Sequence, residues 1–174
     1  MLRVENLVKW FPVKGGIFQI IFPSKRKYVK AVDKINFEVK KREVFGLVGE
    51  SGCGKTTTGR TILDLAKKTS GNVYFENREI SELRGNDLKN LRRNMQIIFQ
   101  NPFEVMEPRI SIFNLLSEPL EFHGLASRRE EKIDRVMKIL NDVGLTPADA
   151  FITRYPYELS GGQMQRLAMA RALI

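Results

Sequence analysis

Nine residues, Gly49-Glu50-Ser51-Gly52-Cys53-Gly54-Lys55-Thr56-Thr57, constrain the fold of this chain more than any other stretch. They spell G-x-x-x-x-G-K-T. Before them, Val44-Phe45-Gly46-Leu47-Val48 is a short apolar run rich in β-forming residues, the size of a buried strand. After them, residues 56–67 have helical spacing, with Ile62, Leu65 and Ala66 on one side. A strand, a glycine loop and a helix in that order form a phosphate cradle. Gly49, Gly52 and Gly54 allow positive φ and bring backbone N–H groups close to phosphate oxygens. The helix that the loop opens adds free N–H groups and the positive end of its dipole. Lys55 is spaced to reach the β- and γ-phosphates, and the Thr56 hydroxyl to hold Mg²⁺. The stretch predicts nucleotide binding.

Size and composition narrow the setting. The chain's 174 residues suffice for one domain, with room for a subdomain. A 43% apolar and 28% charged content is that of a globular protein. No apolar run approaches the ~18 residues of a membrane helix. The opening Met1-Leu2-Arg3-Val4-Glu5-Asn6 lacks the apolar core of a signal peptide. Cys53 is the single cysteine, which excludes an internal disulfide and suits a cytoplasmic protein. It lies in the glycine loop and is assigned no catalytic role. The net charge of +9 is concentrated early, in Lys14, Lys25, Arg26, Lys27 and Lys30, with no acidic residue between Glu5 and Asp33. Nucleic acid, an anionic membrane surface, the nucleotide itself or plain solvation could each account for it. No zinc-ligand spacing or aromatic-interleaved motif supports nucleic acid, and none is expected as a partner.

Read in order, residues 2–8 alternate weakly as an opening strand, ended by Trp10-Phe11-Pro12. The aromatic pair could be core or a platform on which a base stacks. Residues 13–28 read as a basic, glycine-containing peripheral loop. Val29 to Val32 and Ile35 to Val39 resume strand alternation, and Lys40-Lys41-Arg42 is a polar turn. Ser70-Gly71-Asn72 reads as a turn before a strand at Val73-Tyr74-Phe75. Residues 83–94 are helix-like, and Met95-Gln96-Ile97-Ile98-Phe99 is a second short buried strand, stopped at Gln100-Asn101-Pro102. Pro108 and Pro119 bracket the start of a helix-rich region. Ser127 and Glu130 form a capping box for a helix through Ile133, Val136, Met137 and Leu140, with Gly144 as its terminator. His123 stands alone. Ser160 N-caps a last helix carrying Met164, Leu167, Ala168 and Arg171. Gly161 and Gly162 in its first turn cost about 1 kcal/mol each against alanine. Close approach of an anionic ligand to bare N–H groups is the physical reason to keep them.

The phosphate loop, Gln100 at a strand end and Leu159-Ser160-Gly161-Gly162-Gln163 stand in the order and rough spacing of ABC-type ATPases, members of the P-loop NTPases. Leu-Ser-Gly-Gly-Gln resembles that family's signature and Gln100 its Q-loop, and Gln165 to Leu173 looks like the helix that follows. Within the family, residues 46–55 and Phe99-Gln100-Asn101-Pro102-Phe103 with Pro108-Arg109 resemble the dipeptide/oligopeptide importer ATPases. Asn101 in place of the commoner Asp, and Met106-Glu107 before Pro108, depart from that pattern.

The resemblance implies an α/β fold. Residues 1–174 would be an incomplete nucleotide-binding domain, with an ATP-binding core and N-terminal antiparallel strands over 1–100 and a Q-loop and helical signature subdomain over 101–174. It implies that Phe11 stacks on adenine, with Trp10 the runner-up, and that Gly49, Glu50, Ser51, Gly52, Cys53, Gly54, Lys55, Thr56 and Thr57 hold the phosphates of ATP. Gln100 would sense Mg²⁺ and the attacking water. Ser160, Gly161, Gly162 and Gln163 would reach the γ-phosphate of an ATP bound to a second subunit.

The implied partners are that second ATPase subunit, membrane permease subunits and an external solute-binding protein, at the cytoplasmic face of the cell membrane. The family continues past its signature helix into a strand ending in an Mg²⁺-coordinating aspartate and a catalytic glutamate, beside the phosphate-loop strand, and later a histidine. Residues 1–174 contain none of these in place, and His123 does not substitute. The expectation is the N-terminal part of a longer protein, inactive alone. Alternatives are a truncated nucleotide binder and a soluble, non-transport ABC protein.

Overall fold

The computed structural model of the chain describes residues 1–13, 27–104 and 106–174. They form two compact units, Met1–Arg92 and Arg93–Ile174.

In the first unit four strands make one antiparallel sheet: β1 (Leu2–Pro12), β2 (Tyr28–Val39), β3 (Ser70–Phe75) and β4 (Arg78–Glu79), in the order β2-β1-β3-β4. Val4, Leu7, Val8, Val32 and Val73 are all buried, and an irregularity of β1 at Asn6, φ 47°, breaks strict alternation so that both Leu7 and Val8 are covered. Val4 faces Phe37 of β2 on one side and Val73 of β3 on the other. Trp10 and Phe11 belong to β1 itself, opposite Lys30 and Val29, and the Val13 N–H donates to the Lys27 carbonyl at 2.9 Å. The loop expected over residues 13–28 otherwise lies mostly outside the described residues. Ser70 and Asn72 are in β3, not in a turn, because Val8 and Glu5 of β1 pair with them. The turn comes later, at Glu76 and Asn77, whose φ values of 49° and 64° link β3 tightly to β4.

Helix α1 (Lys55–Ile62) follows the glycine loop. It ends five residues before the expected Lys67. Asp64 turns left-handed at φ 54°, and the Asp64 and Leu65 N–H groups close on the Thr61 and Arg60 carbonyls at 3.1 and 2.9 Å. The chain is thereby free to reach β1, where the Thr69 N–H donates to the Val8 carbonyl at 2.8 Å. Helix α2 (Gly85–Asn94) matches the polar helix expected over residues 83–94.

Two expected strands are not strands. Residues 44–48 join no ladder, with Val44 98% and Val48 93% exposed, although the Phe45 ring stacks on Phe37 of β2 at 4.9 Å. Residues 95–99 are likewise outside any ladder, and Ile98 is exposed. Apolar composition suits both for a sheet, yet neither pairs with a described strand.

The second unit is helical: α3 (Ile112–Phe122), α4 (Arg129–Asp142), α5 (Ala148–Ile152) and α6 (Gly161–Leu173). Ile112, Leu116 and Leu120 of α3, Val136 and Leu140 of α4, Leu145, and Met164 and Leu167 of α6 are essentially solvent-free. Each such side chain contributes about 1.5–3 kcal/mol by burial. Pro119 lies inside α3 and does not bound it, since buried Leu116 and Leu120 hold the turns on either side. The Ser127–Glu130 capping box does not form. Arg128 is extended at φ −84° and ψ 147°, so α4 starts at Arg129 and Ser127 sits one residue too early to cap it. Gly144 terminates α4 as expected, at φ 74°.

Candidate functional site

The glycine loop is built around one ammonium group. Lys55 Nζ donates to the Gly49 carbonyl at 2.6 Å and the Glu50 carbonyl at 2.7 Å, and lies 3.6 Å from Cys53 Sγ. The Cys53 N–H closes the turn on the Glu50 carbonyl at 3.3 Å. The loop's carbonyls therefore point at Lys55 from one side.

Gly54 caps α1 at φ 101° and ψ 4°, with no side chain serving as cap. A helix leaves its first N–H groups without intrahelical partners. Here neither a capping side chain nor an acidic residue in the first turn offsets them. The start of α1 thus carries an uncompensated positive field. A Cβ at Gly54 would stand 2.2 Å from the Ala31 carbonyl oxygen of β2, and one at Gly49 would stand 2.6 Å from Cys53 Sγ. Gly54 is a steric requirement of the loop, whereas a side chain at Gly49 would have to push the Cys53 thiol aside. Thr58 and Thr61 turn their hydroxyls back onto the Gly54 and Thr57 carbonyls at 3.0 and 2.7 Å. Thr56 remains exposed at the mouth of the loop, with Thr57 half-buried beside it and Ser51 and Gly52 exposed. Such an arrangement accepts a multiply charged anion.

The two aromatic candidates of β1 fall in different surroundings. Phe11 is 42% exposed, with Lys9 Nζ 4.6 Å from its ring centroid. Trp10 is half-buried, with Lys30 Nζ 4.7 Å from its ring centroid and Tyr28 6.1 Å away. Its indole N–H is buried without a partner. Lys9, which sequence reasoning did not single out, and Lys30, read there only as part of the basic cluster, put a cation against each ring.

Gln100 and the Leu159 to Gln163 stretch belong to the second unit, apart from the glycine loop. Gln100 is exposed, directly after segment 95–99, which joins no ladder. At the start of α6 the expected cap is present as a full capping box. Ser160 Oγ accepts from the Gln163 N–H at 3.3 Å, and Gln163 Oε1 accepts from the Ser160 N–H at 3.0 Å. Gln163 is therefore engaged in holding the helix end. The exposed Gly161 and Gly162 retain outward N–H groups, and Ser160 retains its hydroxyl proton. A Cβ at either glycine would meet nothing within 4 Å. Packing within the chain gives no reason for the pair.

Among the described residues no group of three or more His, Cys, Asp or Glu side chains gathers to hold a metal ion. No helix among them is long and apolar enough to cross a membrane.

The family profile described as ABC transporter matches residues 32–174. The chain belongs to the ABC transporter family. Its relatives within that family include the oligopeptide transport ATP-binding protein AppF of Bacillus subtilis (strain 168), 43% identical over 99% of this chain and 51% of that protein. The glutathione import ATP-binding protein GsiA of Pectobacterium atrosepticum is 43% identical over 99% of this chain and 27% of its own length. The chain spans about half or less of the curated ABC relatives it matches. Among solved structures, the dimeric ATP-binding cassette MJ0796 bound to ADP and Pi superimposes with a TM-score of 0.79 at 31% identity, covering 99% of this chain and 69% of that one. The α/β ABC architecture expected from the sequence is thus shared with known cassettes.

Proposed function

We propose that this chain forms the nucleotide-binding part of an ATPase subunit that energises import of peptides, or of a related solute such as glutathione, through a membrane transporter. The observation that carries the reading is the glycine loop, where an uncapped helix start and the Lys55 ammonium converge. The names of the relatives supply the transport setting and the solute class.

On this reading the loop residues 49–57 enclose the phosphates of ATP, and Lys55 exchanges its contacts with the Gly49 and Glu50 carbonyls for phosphate oxygens. The exposed Thr56 hydroxyl and Gln100 would hold Mg²⁺. The exposed hydroxyl at the loop mouth fits an ion bound largely through phosphate and water. Bound Mg²⁺ would neutralise charge on the β- and γ-oxygens. The exposed ring of Phe11 would stack on adenine, and Trp10 is the alternative platform. Ser160 through its hydroxyl, and Gly161 and Gly162 through their N–H groups, would reach the γ-phosphate of an ATP held by a second subunit. Gln163 would keep that helix end in shape. The open space at both glycines supports an outside occupant. Two such subunits would close head to tail on ATP and reopen after hydrolysis, against permease subunits fed by an external solute-binding protein.

A fluorescent ATP analogue titrated into the chain tests the reading. Lys55→Ala removes charge-assisted hydrogen bonds of about 1.5–3 kcal/mol each and should weaken binding at least tenfold. Equal affinity of the two proteins would refute the assignment.

A further inference from the structure

We infer that Arg166 is a positioning residue that fixes the angle at which α6 presents its Ser160–Gly162 end. The inference rests on the proposed ATP-binding reading of that end. Arg166 lies three residues beyond Gln163, one turn down the same helix. Its Nη1 donates to the Gly144 carbonyl at 2.8 Å. That carbonyl sits where α4 ends. The Gly144 N–H closes on the Asn141 carbonyl at 2.9 Å and the Leu145 N–H on the Leu140 carbonyl at 2.8 Å. This double closure accounts for two carbonyls in the last turn of α4, and Gly144's own oxygen is left to the guanidinium. The placement is also electrostatically favourable, since a cation belongs at the negative end of a helix dipole.

Gly144 is favoured there by its left-handed backbone. At φ 74°, a Cβ there would stand 2.6 Å from Arg166 Nη1 and would displace the guanidinium.

The burial of Met164, Leu167 and Ala170 holds α6 by its core face. The Arg166 bond adds a directional contact on the exposed side, five residues from the helix start, where that packing does not reach. Gly161 lies five residues above Arg166, about 7.5 Å along the axis, so a tilt of about 10° would swing its N–H by about 1.3 Å. Displacements of about 1 Å are enough to cost ~10²-fold in a positioned reaction. A second guanidinium, Arg171, ties α6 to Glu118 of α3 at 2.7 Å. It lies further from the Gly161 end and provides the internal comparison.

The experiment is steady-state ATP hydrolysis by the full-length protein proposed above, with Arg166→Ala, Arg166→Lys and Arg171→Ala, beside nucleotide affinity and thermal melting of each. Arg166→Ala should lower kcat ten- to a hundredfold with KM for ATP within twofold of the parent. Arg166→Lys, which can still donate one bond to the carbonyl, should recover kcat to within about threefold. Arg171→Ala should melt as early as Arg166→Ala yet keep kcat within twofold. If Arg166→Ala does not fold, the ranking of Arg166→Lys between the parent and Arg166→Gln serves instead. Equal losses of kcat in the two alanine variants, or an unchanged kcat in Arg166→Ala, would overturn the inference while leaving ATP binding in place. A parent protein that binds no ATP would overturn the underlying reading, and this inference with it.

Discussion

Replacing Gly54 with alanine tests the loop geometry most directly. Two separate costs arise. A side chain at φ 101° is strained whatever surrounds it, by about 1–3 kcal/mol. The added Cβ would also stand 2.2 Å from the Ala31 carbonyl oxygen, about 1 Å or more inside ordinary contact. Ala31 cannot easily yield. Its neighbours Lys30 and Val32 are paired with Trp10 and Lys9 of β1. Overpacking of this kind costs about 1–3 kcal/mol.

Gly52 is the control, since it also has positive φ, at 81°, but open space around its missing Cβ. Gly52→Ala should therefore carry only the strain. Urea denaturation and titration with a fluorescent ATP analogue, run on both variants, read the outcome. The loop can relax at the expense of nucleotide affinity or hold its shape at the expense of stability. In either case the combined loss for Gly54→Ala should exceed that for Gly52→Ala by about 1–3 kcal/mol. If the two variants are indistinguishable, Gly54 is not wedged against β2 and the cradle is misdrawn.

Further tests address other sites. Gly162→Asp in the full-length protein should leave ATP binding by the separated subunit nearly intact while abolishing ATP-driven dimerisation on a sizing column; a loss of affinity equal to that of Lys55→Ala would show that the α6 end acts within its own subunit. Glu79 accepts from Lys68 and, at 2.5 Å, from the Ser81 hydroxyl, and these bonds hold its carboxyl below the ordinary value of 4.5. A lowered carboxylate pKa means stability that is present above that value and lost as pH falls through the folded pKa. Glu79→Gln should thus be destabilised by about 1 kcal/mol at pH 7, and the difference should shrink on acidification below about pH 4.5; denaturation curves that stay parallel across that range would refute the account.

What sequence could and could not show divides along physical lines. The loop, β1, β2 and the capped start of α6 depend on local chemistry: glycine placement, two-residue alternation, and a serine three residues before a glutamine. All are legible in a string of letters. The same three-residue spacing misled at Ser127 and Glu130, because a capping box also needs the helix to begin at the next residue, and Arg128 stays extended. Strand pairing is less local still. Ser70 and Asn72 become part of β3 only because β1 is beside them, and residues 95–99 have the composition of a strand but join no described ladder. Pro108 and Pro119 do bracket the start of α3, and Pro119 itself falls within the helix because buried leucines on both sides outweigh its low propensity. Residue type alone did not separate Trp10 from Phe11 as a platform, and only the family resemblance ranked Phe11 first. Their separate surroundings, one half-buried under Lys30 and the other open beside Lys9, appear only once β1 and β2 are in register.

The run 44–48 leads directly into Gly49, where the phosphate loop begins. Its amides lack ladder partners and should exchange with deuterated solvent far faster than those of β1. The Gly49 carbonyl that follows the run holds the Lys55 ammonium. Nucleotide that drew on Lys55 would therefore act on the order of the loop and of the run that anchors it together. Slowed exchange at residues 44–48 upon adding ATP would report that coupling directly.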